Sequence, residues 1–157
     1  MPIVKIELLI NAPIEICFDL ARSIDLHQIS TSKTKERVIA GRMEGLIEKG
    51  ETVTWRAKHF GVWQNLTAKI TALESPNYFC DEMVKGAFKS FKHEHIFKKE
   101  GEQTLMIDIF DFESPFGWLG QLFNKIILTR YMRHFLEERN QIISVYAESD
   151  KWKSILK

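Results

Sequence analysis

Two histidines stand two residues apart in the stretch Phe91-Lys92-His93-Glu94-His95-Ile96-Phe97-Lys98. Imidazole changes charge near neutral pH, so the pair suits proton transfer or a polar contact to a ligand. Successive strand side chains point to opposite faces. Lys92, Glu94 and Lys98 take one face; Phe91, His93, His95 and Phe97 take the other. The charged face is the wet one, so both histidines point inward. The stretch from Thr52 to His59 repeats the pattern, with Val53, Trp55, Ala57 and His59 inside. Buried polar rings are costly without partners. An interior that is partly a cavity accounts for three such rings in a small chain.

Three readings of the histidines stand side by side. They contact a ligand or act as general acid and base. Or they hydrogen-bond to a neighbouring strand, with Asp108 as the partner. Or they hold a metal, completed by His59 or Asp108. Zinc wants three or four ligands with supporting partners, and only two are linked by spacing here. The expectation is therefore no metal and no cofactor. The facing of Asp108 is open: Met106, Asp108 and Phe110 alternate with an equally apolar set, Leu105, Ile107 and Ile109. Phe79, Asp81 and Met83 share one face of their strand and Cys80, Glu82 and Val84 the other, so one carboxylate faces in. Trp55 can stack on a ligand or fill a core. On the C-terminal helix Tyr131 belongs to an aromatic stripe with Phe123 and Phe135, and Arg130 lies one turn from Ile126 and Ile127, which are read at apolar positions of the same helix.

The elements that position these groups follow from period and punctuation. Residues 3–10 alternate as a strand, and Pro13 opens a helix carrying Ile14, Cys17, Phe18 and Ala21. A second short helix covers Ser23 to Ile29. Strands are expected at Thr34–Ile39, Thr52–Phe60, Trp63–Leu73, Tyr78–Val84, Ser90–Lys98 and Thr104–Phe112. Their short connections favour antiparallel neighbours. Small Ala57, Ala68 and Ala72 on inward faces would leave room. Ser114-Pro115-Phe116-Gly117 breaks the last strand, and helical period runs from Trp118 to about Glu148. Its polar face is read as Lys125, Arg133, Glu137, Glu138 and Arg139. Trp118, between Gly117 and Gly120, is placed to form part of an entrance lid.

Length and composition bound the rest. The 157 residues suggest one domain, 1–157. With 22 basic and 21 acidic residues there is no electrostatic footprint for nucleic acid. Cys17 and Cys80 lack metal spacing and read as reduced core residues of a cytoplasmic protein. No apolar run is long enough to span a membrane, and the alternating start is not a signal peptide. Dinucleotide, phosphate-loop and nucleophile-elbow motifs are absent. Oligomeric state is not legible.

The order of elements resembles the helix-grip fold of the START-like (SRPBCC) superfamily. Residues 50–61, from Gly50-Glu51-Thr52-Val53 to His59-Phe60-Gly61, are similar to a bacterial ligand-binding branch sometimes labelled cyclase/dehydrase or cell-division inhibitor. So are Phe79 to Gly86, Phe88, His93-Glu94-His95, Phe97, Asp108 and Ser114 to Gly117; Ala87 departs from the proline common in that branch. The resemblance implies an α+β fold: a curved seven-stranded antiparallel sheet around a long C-terminal helix, with two short helices between strands 1 and 2. It also implies a cavity for a hydrophobic small molecule, with Trp55, His59, Phe91, His93, His95, Asp108 and Tyr131 as candidate ligand-binding residues. Binding is favoured over catalysis. The alternatives are a cyclase-, hydratase- or isomerase-type enzyme on a ring compound, with no catalytic set assigned, and a non-catalytic interaction module.

Overall fold

A computed structural model describes residues 3–114 and 124–156. Seven strands form one antiparallel sheet: β1 (Ile3–Ile10), β2 (Arg37–Gly41), β3 (Thr52–His59), β4 (Val62–Glu74), β5 (Tyr78–Lys85), β6 (Ser90–Glu100) and β7 (Gln103–Glu113). Their order is β1-β7-β6-β5-β4-β3-β2. From β3 to β7 the chain meanders through short turns, a longer loop of residues 42–51 joins β2 to β3, and only β1 lies away from its sequence neighbour. Helices α1 (Ile14–Ala21) and α2 (Ile24–Ser30) separate β1 from β2. A π turn at Asn124–Leu128 leads into α3 (Thr129–Ala147), and a single turn, α4 (Trp152–Ile155), follows it.

Helix α3 has 19 residues and is about 28 Å long at 1.5 Å per residue. Its apolar stripe runs through Met132, Leu136, Ile143 and Ala147, the spacing of one helix face. Two apolar clusters form the interior. One gathers α1, α2 and the far end of α3 around Phe18, Phe79 and Phe97. The other gathers Val4, Phe91, Phe110, Phe112, Met132 and Leu136. Ser23 caps α2 by accepting the Leu26 amide at 3.1 Å.

Four local readings change. The second strand begins at Arg37 rather than Thr34, because Ser32–Thr34 closes a 3-10 turn that Lys35 ends in the left-handed region (φ 56°). Ala72 does not take the inward place. A bulge between Ile70 and Ala72 shifts the phase, so Leu73, opposite Phe79, packs on the core instead. Ile126 and Ile127 are exposed, because the π turn breaks the 3.6-residue phase that would carry them inward. Arg139 is buried at 4 % exposure, so it belongs to the core face of α3 and not its polar face. The expected helix start at Trp118, with Leu119, Phe123 and the lid at Trp118, lies outside the described residues.

Edge strand β2 is short and carries a bulge between Val38 and Ala40 against β3. It ends at Gly41 (φ +77°), where an added Cβ would stand 2.3 Å from the Thr52 carbonyl oxygen. Both the positive φ and that backbone approach exclude a side chain. Gly41→Ala is expected to lower stability by more than about 1 kcal/mol. Chemical denaturation checks this, and an unchanged midpoint would contradict the close approach.

Candidate functional site: a cavity with a polar floor

The antiparallel register places the chemistry on three adjacent central strands. His95 of β6 lies opposite Phe79 of β5 and Asp108 of β7, and His93 lies opposite Asp81 and Phe110. Asp108 shares its inward face with Met106, Phe110 and Phe112, all buried, which settles its facing. Directly opposed residues stand about 5 Å apart, within hydrogen-bond reach of ring and carboxylate.

The resulting network is continuous. Asp108 Oδ1 accepts from His93 Nε2 at 2.9 Å and lies 3.1 Å from His95 Nδ1. His95 Nε2 is 2.7 Å from Asp81 Oδ1. From α3, Asn140 Nδ2 donates to Asp108 Oδ2, and Arg139 Nη1 lies 3.9 Å from Asp108 Oδ1. Arg139 Nη2 donates to the Ala21 carbonyl at the end of α1. The ring of His95 stacks on Phe79 at 4.0 Å and lies 3.8 Å from that of His93. Arg139 Nη1 and Asn140 Oδ1 are sealed and make no hydrogen bond.

Protonation follows from this geometry. Burial alone would raise the Asp108 pKa, but the bonds from His93 and His95 outweigh it and hold the carboxyl well below its usual range. Asp81 is lowered against burial by its bond from His95 and the nearby positive charges. Burial opposes charge on His95 too, yet its two carboxylate bonds win and raise its pKa. His93 goes the other way: burial and the neighbouring His95 lower its pKa, and the single Asp108 bond does not reverse this. These directions favour the charged form on His95, whose two nitrogens each face a carboxylate, and the neutral form on His93, whose Nε2 faces Asp108 and whose Nδ1 is then the lone-pair side.

A cavity of about 470 Å³ lies between the sheet and α3. Trp55, His59, Phe91, His93, His95 and Tyr131 all border it. Asp108 does not; at 1 % exposure it stands behind the histidines and fixes them. Cys17 and Cys80 are free thiols, both buried. At the other end His59 Nδ1 and the Tyr131 hydroxyl share a hydrogen bond. Burial lowers the His59 pKa and raises that of Tyr131. Phe60 and Val62 border the cavity while 52 % and 57 % exposed, so among the described residues it opens at the β3–β4 turn. Asp81, His93 and His95 each offer one ligand atom within 4.8 Å of the others, in a cluster where His93 Nε2, both His95 nitrogens and one Asp81 oxygen are already bonded.

Sequence reasoning passed over three residues that matter here, Glu36, His27 and Asn140, and misplaced a fourth, Arg139. Glu36 is buried beside the cavity and bonds His27 Nε2 at 2.6 Å, and His27 stacks on Trp55 at 4.1 Å. The signal for Glu36 was its alternation with inward Val38. Arg139 and Asn140 lie three and four residues after Leu136, inside the apolar stripe.

Asp108→Asn removes the charge that two cationic groups face. The expected loss is roughly 3 kcal/mol, the scale of breaking a buried ion pair from one side. A denaturant midpoint within error of the parent would refute this. The linkage signs for the histidines oppose one another. His93, lowered below 6.5, contributes stability above 6.5 that is lost as pH falls below it. His95, raised above 6.5, contributes stability below 6.5 that is lost as pH rises through its folded value. Side-chain NMR titration should show the coupled pair splitting, His95 protonated where His93 is neutral. Two unshifted, coincident curves would contradict the network.

No family model matches the chain, and no curated protein does. Solved structures do match. A protein from Thermus thermophilus is 18 % identical with a TM-score of 0.76, covering 98 % of each chain. A START superfamily protein from Mycobacterium smegmatis is 12 % identical with a TM-score of 0.72, covering 93 % of this chain and 97 % of that one. A ginseng major latex-like protein from Panax ginseng is 17 % identical with a TM-score of 0.70, covering 94 % of this chain and 98 % of that one. At these identities the likeness speaks for the fold, and together with the sheet gripping α3 it gives the conclusion: the chain has the START-like, helix-grip fold.

Proposed function

We propose that the protein binds a hydrophobic small molecule in the cavity between sheet and α3. The observation that carries this reading is the cavity itself, about 470 Å³, within the usual range for ligand sites. Its wall is mostly apolar, and Ala57 and Ala68 stand where larger side chains would fill the space. The near-balanced charge supports a small-molecule partner over nucleic acid. No described helix is long and apolar enough to cross a membrane. An interaction module would have a filled interior, so the cavity weighs against that alternative.

One observation favours a catalytic second reading: His93 borders the cavity with the Asp108 carboxyl bonded behind it, the arrangement of a general base and its orienting partner. Turnover of a bound ring compound that disappears in His93→Ala would support it. Binding without turnover would sink it.

Native mass spectrometry of freshly purified protein should show added mass that is lost on denaturation. Ala57→Leu fills the cavity from the sheet side and is expected to weaken binding of an apolar ring compound at least tenfold, with the fold intact by circular dichroism. Unchanged affinity in this variant would place the ligand elsewhere.

A further inference from the structure

The cavity's charge is one-sided. Among the described residues the cationic groups that border it are engaged, His27 with Glu36. His95 donates to two carboxylates. Arg22 is paired with Asp19 and Glu48. Arg139 is held by the Ala21 carbonyl, and its other terminal nitrogen is sealed. No lysine borders the cavity among the described residues. The acceptors are in the opposite condition. His93 uses only Nε2, toward Asp108, and Nδ1 makes no hydrogen bond among the described residues. Nor is that atom sealed, in contrast to Arg139 Nη1. Glu36 and Asp81 each engage one carboxylate oxygen with a histidine, and the second makes no hydrogen bond to a described residue. The polar groups open to a guest are therefore lone pairs and carboxylate oxygens, with neutral donors such as the Trp55 indole beside them.

We propose that the guest is an uncharged apolar compound bearing a hydroxyl or phenol, that this hydroxyl donates to His93 Nδ1, and that carboxylates and other anions are refused. The inference rests on the cavity-binding reading and names the head group that reading leaves open. A carboxylate head would meet Asp81 and Glu36 with no free cation to balance it, and desolvating it there is expensive. A hydroxyl would donate to an acceptor already oriented by Asp108, a gain of about one net hydrogen bond.

The test uses one ring system with three heads: naphthalene, 2-naphthol and 2-naphthoate, followed near neutral pH on the side-chain NMR signals of Trp55 and His93. Naphthol is expected to bind about tenfold more tightly than naphthalene, the scale of one such bond. Naphthoate should bind more weakly than either. His93→Gln keeps an amide donor for Asp108 but has no acceptor at the Nδ1 position. It should erase the naphthol preference, read as the ratio of naphthol to naphthalene affinity in the same variant. If that variant does not fold, nitrogen NMR of the parent decides: the His93 Nδ1 resonance should move with naphthol and not with naphthalene. Naphthoate binding as tightly as naphthol, or an unmoved Nδ1 resonance with naphthol bound, would overturn the proposal alone. Failure of all three compounds to bind would overturn the cavity reading and this one with it.

Discussion

The structure is organised around one buried carboxylate. Asp108 sits on β7 with its charge taken out of water, and an uncompensated charge there would cost several kcal/mol. Compensation comes from β6 through both histidines and from α3 through Asn140 and Arg139. The bond to Asp81 extends the network to β5. Three strands and the gripped helix are thereby fixed relative to one another. A one-residue slip of β7 would turn Asp108 to the outer face and strand His95 against apolar neighbours. The same carboxylate sets the two histidines apart. The one that touches two acids is shifted toward its charged form, and the one that touches a single acid toward its neutral form.

The cavity is a consequence of how the remaining interior is divided. The cluster around Phe18, Phe79 and Phe97 closes the end beneath α1 and α2, where aromatic edges meet faces at 5.4–5.6 Å. The second cluster lines β6 and β7 with Phe91, Phe110 and Phe112. Between them, on β3 and β4, the inward positions fall to Ala57 and Ala68. The sheet can then keep its curvature around α3 without its side chains meeting the helix there. Packing carries stability at one end and along one wall, leaving the middle free for a guest.

Strand positions, their order and the inward facing of both histidines were legible because alternation is a local signal. Asp108 was not, since Met106-Asp108-Phe110 and Leu105-Ile107-Ile109 are equally apolar; only its partners on β6 and α3 decide between them. Arg139 was misplaced by residue type, although its spacing from Leu136 and Ile143 fits the buried stripe. Glu36 sits in a polar run, Thr34-Lys35-Glu36-Arg37, that looks solvated until His27 closes over it. Leu73 replaces Ala72 because a bulge inserts one residue, and a period-2 count cannot anticipate an insertion. The misses share a cause. Each depends on a contact between elements far apart in sequence, or on a local break in the period being counted.

The bulge and glycine of β2 bear on how this open sheet lives beside its own copies. A sheet that does not close on itself ends in rows of unpaired amides, which invite another chain to add a strand. On the β2 side that row is only five residues long and its spacing is interrupted between Val38 and Ala40. Gly41 then turns the backbone away at the point where a longer strand would continue. An incoming strand would find too few amides in register to hold it, so the irregularity of this edge guards the fold against open-ended stacking.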